Sequence, residues 1–167
     1  KIISEPKVGN VIYFKVCSGK VKPGMELWNA STGVSERINQ LFLALGKNRT
    51  SVNELVAGDI GVTVKLKDSH TSNTLSAKGS GLEVTPIPFP SPRIRVAIRP
   101  TSKAEMEKLS KALTVISEED PTLIVEHSSE LNQTILHGQG ELHLDLIRYR
   151  IEKVNNISME YEQPRIS

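Results

Sequence analysis

The sequence of 167 residues is poor in cysteine, and Cys17 is the only one. One thiol can form neither an intrachain disulfide nor a cluster of cysteines around a metal ion, and such usage is typical of proteins from reducing compartments. Long apolar runs are missing too: the longest covers residues 41–45, whereas a membrane helix needs roughly 20 residues. We therefore expect a cytoplasmic protein with neither a membrane span nor a signal peptide.

Motifs for metal or nucleotide chemistry are also absent. The spacing of His127, His137 and His143 fits no common zinc signature. The glycines at 46–47 and 78–81 lack the G-x-x-x-x-G-K-[ST] spacing of a phosphate-binding loop. No nucleophile and base stand at a recognisable spacing, which argues against a small acid/base hydrolase. We expect this chain to bind no metal, to have no catalytic residues, and not to bind or hydrolyse a nucleotide alone.

The composition otherwise fits a folded globular protein, with 38% hydrophobic and 24% charged residues. The net charge of +2 conceals an uneven distribution. Residues 1–90 contain 11 lysines and arginines against 7 aspartates and glutamates, a net charge of +4. Residues 91–167 contain 10 against 12, a net charge of −2. The two halves should therefore present different surfaces to different partners.

A proline-rich stretch separates these halves. Residues 85–92 read T-P-I-P-F-P-S-P and hold four of the nine prolines. Proline removes a backbone donor and biases the preceding residue toward extended conformations, so neither a helix nor an inner strand fits. We interpret the stretch as an interdomain linker, with an edge strand or long loop within one domain as the alternative. The predicted domains are 1–88 and 93–167, joined by a linker at 89–92.

The first half alternates short apolar stretches with turn residues. Turn sequences recur about every eight to twelve residues, for example S-G at 18–19 and A-G-D at 57–59. Regular short strands with glycine and proline turns are typical of a small β-barrel, and no helix of about ten residues is expected before Pro86. The predicted strands include residues 11–16, 25–28, 37–41 and 60–64.

The pattern changes after the linker. Residues 93–99 alternate three arginines with apolar residues, as a half-buried strand does. Ser102 and Glu105 have the spacing of a capping box, and Asp120 precedes a proline that should end the helix they begin. The order β-α-β-β-α-β is the ferredoxin-like pattern, an α+β sandwich with two helices on one face of a four-stranded sheet. The later predicted elements are strands at 122–127 and 133–137, joined by polar residues 128–132, a helix at 140–154 and a strand at 157–161.

Apolar residues recur at helical spacing in both predicted helices. The apolar positions are Met106, Leu109, Leu113 and Ile116 in the first helix, and Leu144, Ile147, Ile151 and Val154 in the second.

Two lines of side chains run along the second predicted helix. His143, Ile147 and Arg150 fall at i, i+4 and i+7. This mixture of an imidazole, an apolar side chain and a guanidinium suits an interface with another protein domain better than a core, and incidental surface residues are the alternative. The second line is interpreted as a solvated face and consists of Glu141, Asp145, Arg148 and Glu152.

Three acidic residues, 118–120, close the first predicted helix. Acids at a helix C-terminus interact unfavourably with the helix dipole, which suggests that some other partner satisfies them. A charged helix end followed by a turn, a functional contact and a general acid/base cluster all stay open for these residues.

Several of these stretches carry a family resemblance. Residues 118–123 (E-E-D-P-T-L) and 137–145 (H-G-Q-G-E-L-H-L-D) resemble the two signature stretches of domain III of translation elongation factor G. The matches are collinear and cover almost the whole chain. The stretches that resemble its domain II barrel are 18–24 (S-G-K-V-K-P-G), 57–60 (A-G-D-I), 66–68 (L-K-D) and 74–75 (T-L).

The resemblance implies the central part of a ribosomal translocase, with a GTPase domain that binds GTP and Mg²⁺ expected before Lys1 and further domains after Ser167. In that family, domain II packs on the GTPase domain and touches small-subunit rRNA. Domain III meets the nucleotide-responsive switches and a small-subunit ribosomal protein. The resemblance implies no membrane or DNA partner.

Site residues follow from the same resemblance. Matching positions for the interdomain contact and a pocket of the fusidic acid type are Asp120, Thr122, His143, Ile147 and Arg150. Loop cations are expected to face rRNA phosphates, and each such contact weakens as salt rises. These cations are Lys20, Lys22, Lys47 and Arg49.

Four positions depart from the family pattern. Ser72 and Asn73 stand where the family usually has a glycine and an acid, Lys65 stands where it has a glycine, and Gln139 replaces a methionine. These departures leave open a divergent paralogue that acts in ribosome recycling or tetracycline protection.

A free-standing RNA-binding module is the alternative from another class. A ferredoxin-like sheet that binds RNA needs aromatic side chains for base stacking. The second half offers only Tyr149 and Tyr161, which argues against this alternative.

Overall fold

A computed structural model of the protein describes residues 1–128 and 133–164. The predicted polar connection at 128–132 therefore falls almost entirely outside the described residues, as do residues 165–167. The chain divides into two compact units, Lys1–Ile87 and Pro88–Ser167. Among the described residues, no helix is long and apolar enough to cross a membrane.

The first unit is all β, which confirms the predicted class for this half. Its strands pair only in antiparallel fashion and form sheets in the orders β1-β2-β9-β6-β7, β10-β4-β5 and β3-β8. The strands are β1 (Ile2–Glu5), β2 (Gly9–Lys15), β3 (Lys20–Val21), β4 (Glu26–Asn29), β5 (Val34–Arg37), β6 (Phe42–Leu45), β7 (Asn48–Ser51), β8 (Leu55–Val56), β9 (Ile60–Val64) and β10 (Leu75–Ser76).

Two apolar clusters fill this unit. One is centred on the fully buried Val11 and Val62, which lie on neighbouring strands of the five-stranded sheet. The other contains Ile38, Leu41 and Leu55. Because alternate residues of a strand point to opposite faces, the short strands can bury one face each while leaving the other in water.

The strand predicted at residues 37–41 is wrong. The chain instead leaves β5 at Arg37, turns, and enters β6 at Phe42. Ile38 and Leu41 are both buried although they stand three positions apart, which the two-residue period of a strand does not allow. The Ile38 N–H donates to the Met25 carbonyl at 2.9 Å, which continues the pairing of β5 with β4 by one position. The Leu41 carbonyl accepts from the Val52 N–H at 3.0 Å, which continues the pairing of β6 with β7.

A buried carboxylate holds the loop that follows β9. Glu36, on β5, is fully buried, and its side chain accepts hydrogen bonds from the N–H groups of Lys67 and Asp68 at 2.7 and 2.8 Å. The Ser69 hydroxyl donates to the same carboxylate at 2.9 Å. A charge removed from water needs several hydrogen bonds of this kind, and here the loop supplies them.

Buried Asn29 holds the same loop from β4. Its Nδ2 donates to Asn73 Oδ1 at 3.1 Å, and Asn73 Oδ1 also accepts from the His70 N–H at 2.9 Å. Asn73 therefore supplies the acceptor oxygen that the family resemblance expects from an acid at this position.

The two positions where the resemblance expects glycine both have left-handed backbone. Lys65 has φ 60° and Ser72 has φ 76°, a region that costs a residue with a Cβ roughly 1–2 kcal/mol. Ser72 gains a compensating contact, because its hydroxyl accepts a hydrogen bond from the Ile87 N–H at 2.7 Å. Lys65 is exposed, and its side chain extends into solvent.

The proline-rich stretch contains no helix or strand and is largely exposed. Its flanks are anchored within their own units. The Val84 N–H donates to the Thr74 hydroxyl at 3.0 Å in the first unit. In the second unit, Gln139 Nε2 donates to the Pro90 carbonyl at 3.1 Å.

The second unit has the predicted order β-α-β-β-α-β, which confirms the ferredoxin-like class. Its sheet runs β12-β13-β11-β14, with every pair antiparallel. The elements are β11 (Ile94–Pro100), α1 (Lys103–Glu119), β12 (Ile124–Ser128), β13 (Gln133–Gly138), α2 (Glu141–Tyr149), a π-helical turn (Arg150–Val154) and β14 (Met159–Glu162).

One apolar core lies between this sheet and both helices. Helix α1 begins after Ser102, whose hydroxyl accepts from the Glu105 N–H at 3.3 Å, and it ends before Asp120 as predicted. Of the apolar positions at helical spacing, Met106 and Val154 lie outside this core and are more than half exposed. The buried core residues are Ile98, Leu109, Ala112, Leu113, Ile116, Leu123, Leu136, Ile147, Ile151, Ile157 and Met159.

Replacing the buried carboxylate should destabilise the first unit. In Glu36→Gln, an amide NH₂ takes the place of one oxygen, so at least one buried donor loses its acceptor. We expect the free energy of unfolding to fall by about 2 kcal/mol. The fluorescence of Trp28, the only tryptophan, reports on this unit during urea unfolding. The exposed Glu26→Gln is the matched control, and an equal effect of both variants would contradict the assignment.

Replacing Lys65, which has left-handed backbone, by glycine should stabilise the first unit. For Lys65→Gly we expect the free energy of unfolding to rise by about 0.5–1 kcal/mol, because relief of strain exceeds the entropy that glycine adds to the unfolded chain. Lys67→Gly is the control, since Lys67 is also exposed but does not have positive φ. Trp28 fluorescence again provides the measurement, and a loss of stability in Lys65→Gly would show that no strain is stored there.

Candidate functional site

The carboxyl end of α1 is the centre of the candidate site. The last turn of this helix contains no basic residue, although it ends in Glu119 and is followed by Asp120. Both carboxylates are instead satisfied by side chains from the α2 segment, Arg150 and His143. We call Glu119, Asp120, Thr122, His143 and Arg150 the α1–α2 junction.

Asp120 is the most connected member of the junction. Its Oδ1 accepts from the Thr122 hydroxyl at 2.6 Å and from the Thr122 N–H at 3.0 Å. Its Oδ2 lies 2.7 Å from His143 Nε2. Partial burial acts to raise the pKa of Asp120, but the hydrogen bonds from Thr122 and His143 outweigh it and bring the pKa below its ordinary value of 3.8.

The tautomer of His143 follows from its two neighbours. Nδ1 accepts a hydrogen bond from the Gln139 N–H at 3.0 Å, so this nitrogen carries no proton. Nε2 must then carry the proton and donate it to Asp120. The imidazole bridges the turn before α2 to the end of α1.

A glycine allows this close approach. A Cβ on Gly138 would lie 2.6 Å from Leu144 Cδ2 and 3.2 Å from His143 Nδ1. The first separation is too short for a methyl group, so any larger residue would force the Leu144 side chain to move and would crowd the His143 ring. Gln139 closes the same turn, because its Nε2 donates to the Thr122 carbonyl at 3.4 Å.

Arg150 marks a change in helix geometry. Its guanidinium donates to Glu119, and its carbonyl accepts from both the N–H and the side-chain amide of Asn155 at 3.0 Å. The bond to a residue five positions ahead creates the π-helical turn, a feature frequent at functional sites. The guanidinium compensates an acid at an unfavourable helix end.

The structure contradicts the interface interpretation of Ile147. This side chain is only 3% exposed and belongs to the core between sheet and helices. The exposed apolar stripe lies one row further around α2, where Leu142, Leu146 and Tyr149 are 74%, 56% and 60% exposed. Their i, i+4, i+7 spacing is visible in the sequence, but a helix with two apolar faces hides which of them is buried.

The three histidines do not come together. His127 contacts Thr134 and His137 contacts Glu126, and neither lies in a shared cluster with His143. In the described part of the chain, no three His, Cys, Asp or Glu side chains are placed to hold a metal ion. Arg148, in the line predicted to be solvated, pairs with Glu152 and stacks on Tyr161 with 4.4 Å between guanidinium carbon and ring centroid.

Three of the four predicted RNA-facing cations have acidic partners. Lys20 and Lys22 both contact Glu54, at 3.0 and 3.4 Å. Arg49 makes a two-oxygen contact with Glu5 at 2.5 and 2.6 Å. Lys47 is exposed in the turn between β6 and β7.

The lowered pKa of Asp120 makes its contribution to stability depend on pH. Because the folded-state pKa lies below that of the unfolded chain, the stabilisation is fully present above the unfolded value and is lost as the pH falls through the folded value. The difference in free energy of unfolding between wild type and Asp120→Asn should therefore narrow as the pH falls below the ordinary carboxyl pKa of 3.8. Unfolding of the second unit can be followed by the helical circular dichroism signal, because both described helices lie in that unit. Exposed Asp145→Asn is the control and should show no such narrowing.

Comparison with known proteins identifies both units as translation factor domains. Residues 9–76 match the family described as Elongation factor Tu domain 2, and residues 89–163 match Elongation Factor G, domain III. A crystal structure of a Thermus thermophilus protein aligns with 99% of this chain at a TM-score of 0.82 and 29% sequence identity. The chain spans 25% of that protein's length. The matches therefore support an elongation factor G-type segment, in which a domain of the Elongation factor Tu domain 2 family is followed by a domain of the Elongation Factor G, domain III family.

Proposed function

We propose that this chain forms the central domains of a ribosome-associated translational GTPase that promotes movement of tRNA and mRNA during protein synthesis. The observation that carries the proposal is the succession of an elongation factor Tu domain 2 and an elongation factor G domain III in one chain. Its function is then to couple the nucleotide state of a GTPase domain elsewhere in the protein to ribosome binding. Such a protein acts in the cytoplasm.

The chemistry of GTP and Mg²⁺ belongs to that other domain. The described residues include no cluster fit to hold a metal ion, and the sequence has no phosphate-binding loop of the P-loop spacing. The residues of this chain do not fit either group, so we assign them no step in hydrolysis. Their contribution is mechanical, through contacts that change with the state of the GTPase domain.

The surface of domain III next to the α1–α2 junction suits this coupling. Leu142 and Leu146 expose apolar surface on α2, His143 lies beside them on the same helix, and Arg150 begins the π-helical turn that follows it. An apolar stripe beside polar side chains that hydrogen bonds keep in place is typical of a protein interface. Because His143 and Arg150 also hold the end of α1, a partner that displaces them would act on both helices.

The open face of the sheet supports a protein contact over an RNA-binding module. Tyr161 is the only Phe, Tyr or Trp residue in the four described strands of domain III, and it packs against the helix-side core. The opposite face therefore offers none of these rings as a platform for base stacking among the described residues. On β11, Arg99 is paired instead with Glu160 and Glu162, at 3.0 and 2.9 Å.

Substitutions at the junction test the proposal in the full-length factor that contains this segment. For His143→Ala combined with Arg150→Ala, we expect ribosome-stimulated GTP hydrolysis and translocation to fall about tenfold, within the usual range of coupling between sites. GTP hydrolysis without ribosomes should not change.

Two further variants separate coupling from folding. Leu146→Ser leaves the core intact, because Leu146 is exposed, and should reduce the same two rates. Lys111→Ala, which removes an exposed pair with Glu107 on α1, should leave them unchanged. Normal rates in both the double variant and Leu146→Ser would contradict a coupling function for this surface.

A further inference from the structure

The short ribbon formed by β3 and β8 carries an unusual arrangement of charge. In an extended chain, residues two apart share a face, so Lys20 and Lys22 point to the same side while Val21 points to the other. Val21 packs against the cluster that contains Leu55, its partner in the ladder. This packing fixes the strand and leaves both ammonium groups in water, with their side chains about 60% exposed.

A single carboxylate sits between these two ammonium groups. Lys20 Nζ lies 3.0 Å from Glu54 Oε1, and Lys22 Nζ lies 3.4 Å from Glu54 Oε2. Each oxygen therefore receives one ammonium. The hydrogen bond from Lys20, helped by that from Lys22, lowers the pKa of Glu54, although desolvation acts to raise it. The lowered pKa keeps the carboxylate ionised.

A backbone phosphate of RNA has the same pattern of acceptors. Its two non-bridging oxygens share one negative charge and project from one atom, as the two oxygens of a carboxylate do. Two ammonium groups that converge on such a pair form a site for one phosphate, and phosphate contacts by lysine dominate the affinity of proteins for nucleic acids.

The ion pair between Arg49 and Glu5 in the same unit differs in accessibility. Both side chains are less than one third exposed and share two hydrogen bonds, which makes exchange of partners costly. Lys20 and Lys22 hold Glu54 through one contact each, at a surface where such pairs are weak. An incoming phosphate can therefore displace Glu54 but not Glu5.

We propose that Lys20 and Lys22 bind one backbone phosphate of structured RNA, and that Glu54 occupies this site in the free protein as an internal competitor. The inference rests on the proposed function, since it identifies the RNA-facing part of domain II. Glu54 then limits the affinity of the site for phosphate. It also reduces binding to unrelated polyanions, which must displace the same carboxylate without the other contacts of the correct partner.

Removing the competitor should strengthen binding. The test uses the 167-residue chain and purified small ribosomal subunits at salt concentrations from about 50 to about 200 mM. For Glu54→Gln we expect Kd to fall about tenfold, the size of one hydrogen bond to a charged group, with a steeper dependence on salt. In the background of Lys20→Ala and Lys22→Ala, the same substitution should have no effect, because the site is gone.

A matched control excludes a simple effect of net charge. Glu107→Gln removes the same charge from another exposed lysine–glutamate pair, on α1. Only Glu54→Gln should gain affinity for small subunits, and its affinity for heparin should rise as well, because the two released lysines also accept unrelated polyanions. Glu107→Gln should change neither affinity. Equal gains on subunits, no gain, or a gain that persists without the two lysines would each overturn the inference. Failure of the proposed function would appear separately, as normal GTPase and translocation rates in the junction variants.

Discussion

Two carboxylates at the carboxyl end of α1 impose the constraint on which the rest of domain III depends. An acid at this end of a helix faces the partial negative charge of the unpaired carbonyls, and the last turn of α1 supplies no basic residue to compensate. The compensation has to come from another element. Arg150 and His143 provide it, so the second helix segment is positioned by electrostatics as well as by its apolar face.

This constraint explains several features that otherwise look unrelated. Gly138 lets His143 approach the end of α1, and the Gln139 N–H fixes which nitrogen of the imidazole carries the proton. The π-helical turn places Arg150 next to Glu119 while Ile151 stays fully buried. The signature stretches of this family therefore encode a connection between two helices, and each part of the connection depends on the others.

Much of the fold can be predicted because its signals are local. The alternation in β11, the cap at Ser102 and the proline after Asp120 each act within a few residues, and they define these elements correctly. The corner at Ile38 and Leu41 escapes prediction because its backbone partners lie elsewhere in the chain. A one-dimensional pattern shows that residues are apolar, but not whether the chain between them turns.

The site is only partly predictable for the same reason. The chemistry of His143 and Arg150 suggests a contact, but their partners lie 23 and 31 positions away and cannot be paired from spacing. Ile147 shares their row and so resembles an interface residue, whereas packing against the sheet decides its burial. Departures from the family pattern at Lys65 and Ser72 are visible in the sequence, but their left-handed backbone is not.

The π-helical turn also fixes how many residues this part of the chain can have. Five residues, Arg150–Val154, occupy a turn that an α-helix completes with fewer, and Asn155 closes it onto Arg150. Deleting one residue here would let the regular helix continue and rotate every later side chain by about 100°. Ile157 would then leave the core while Arg150 kept its place. Substitutions of the exposed residues in this turn, Lys153 and Val154, are therefore a lesser threat to the domain than a change of length.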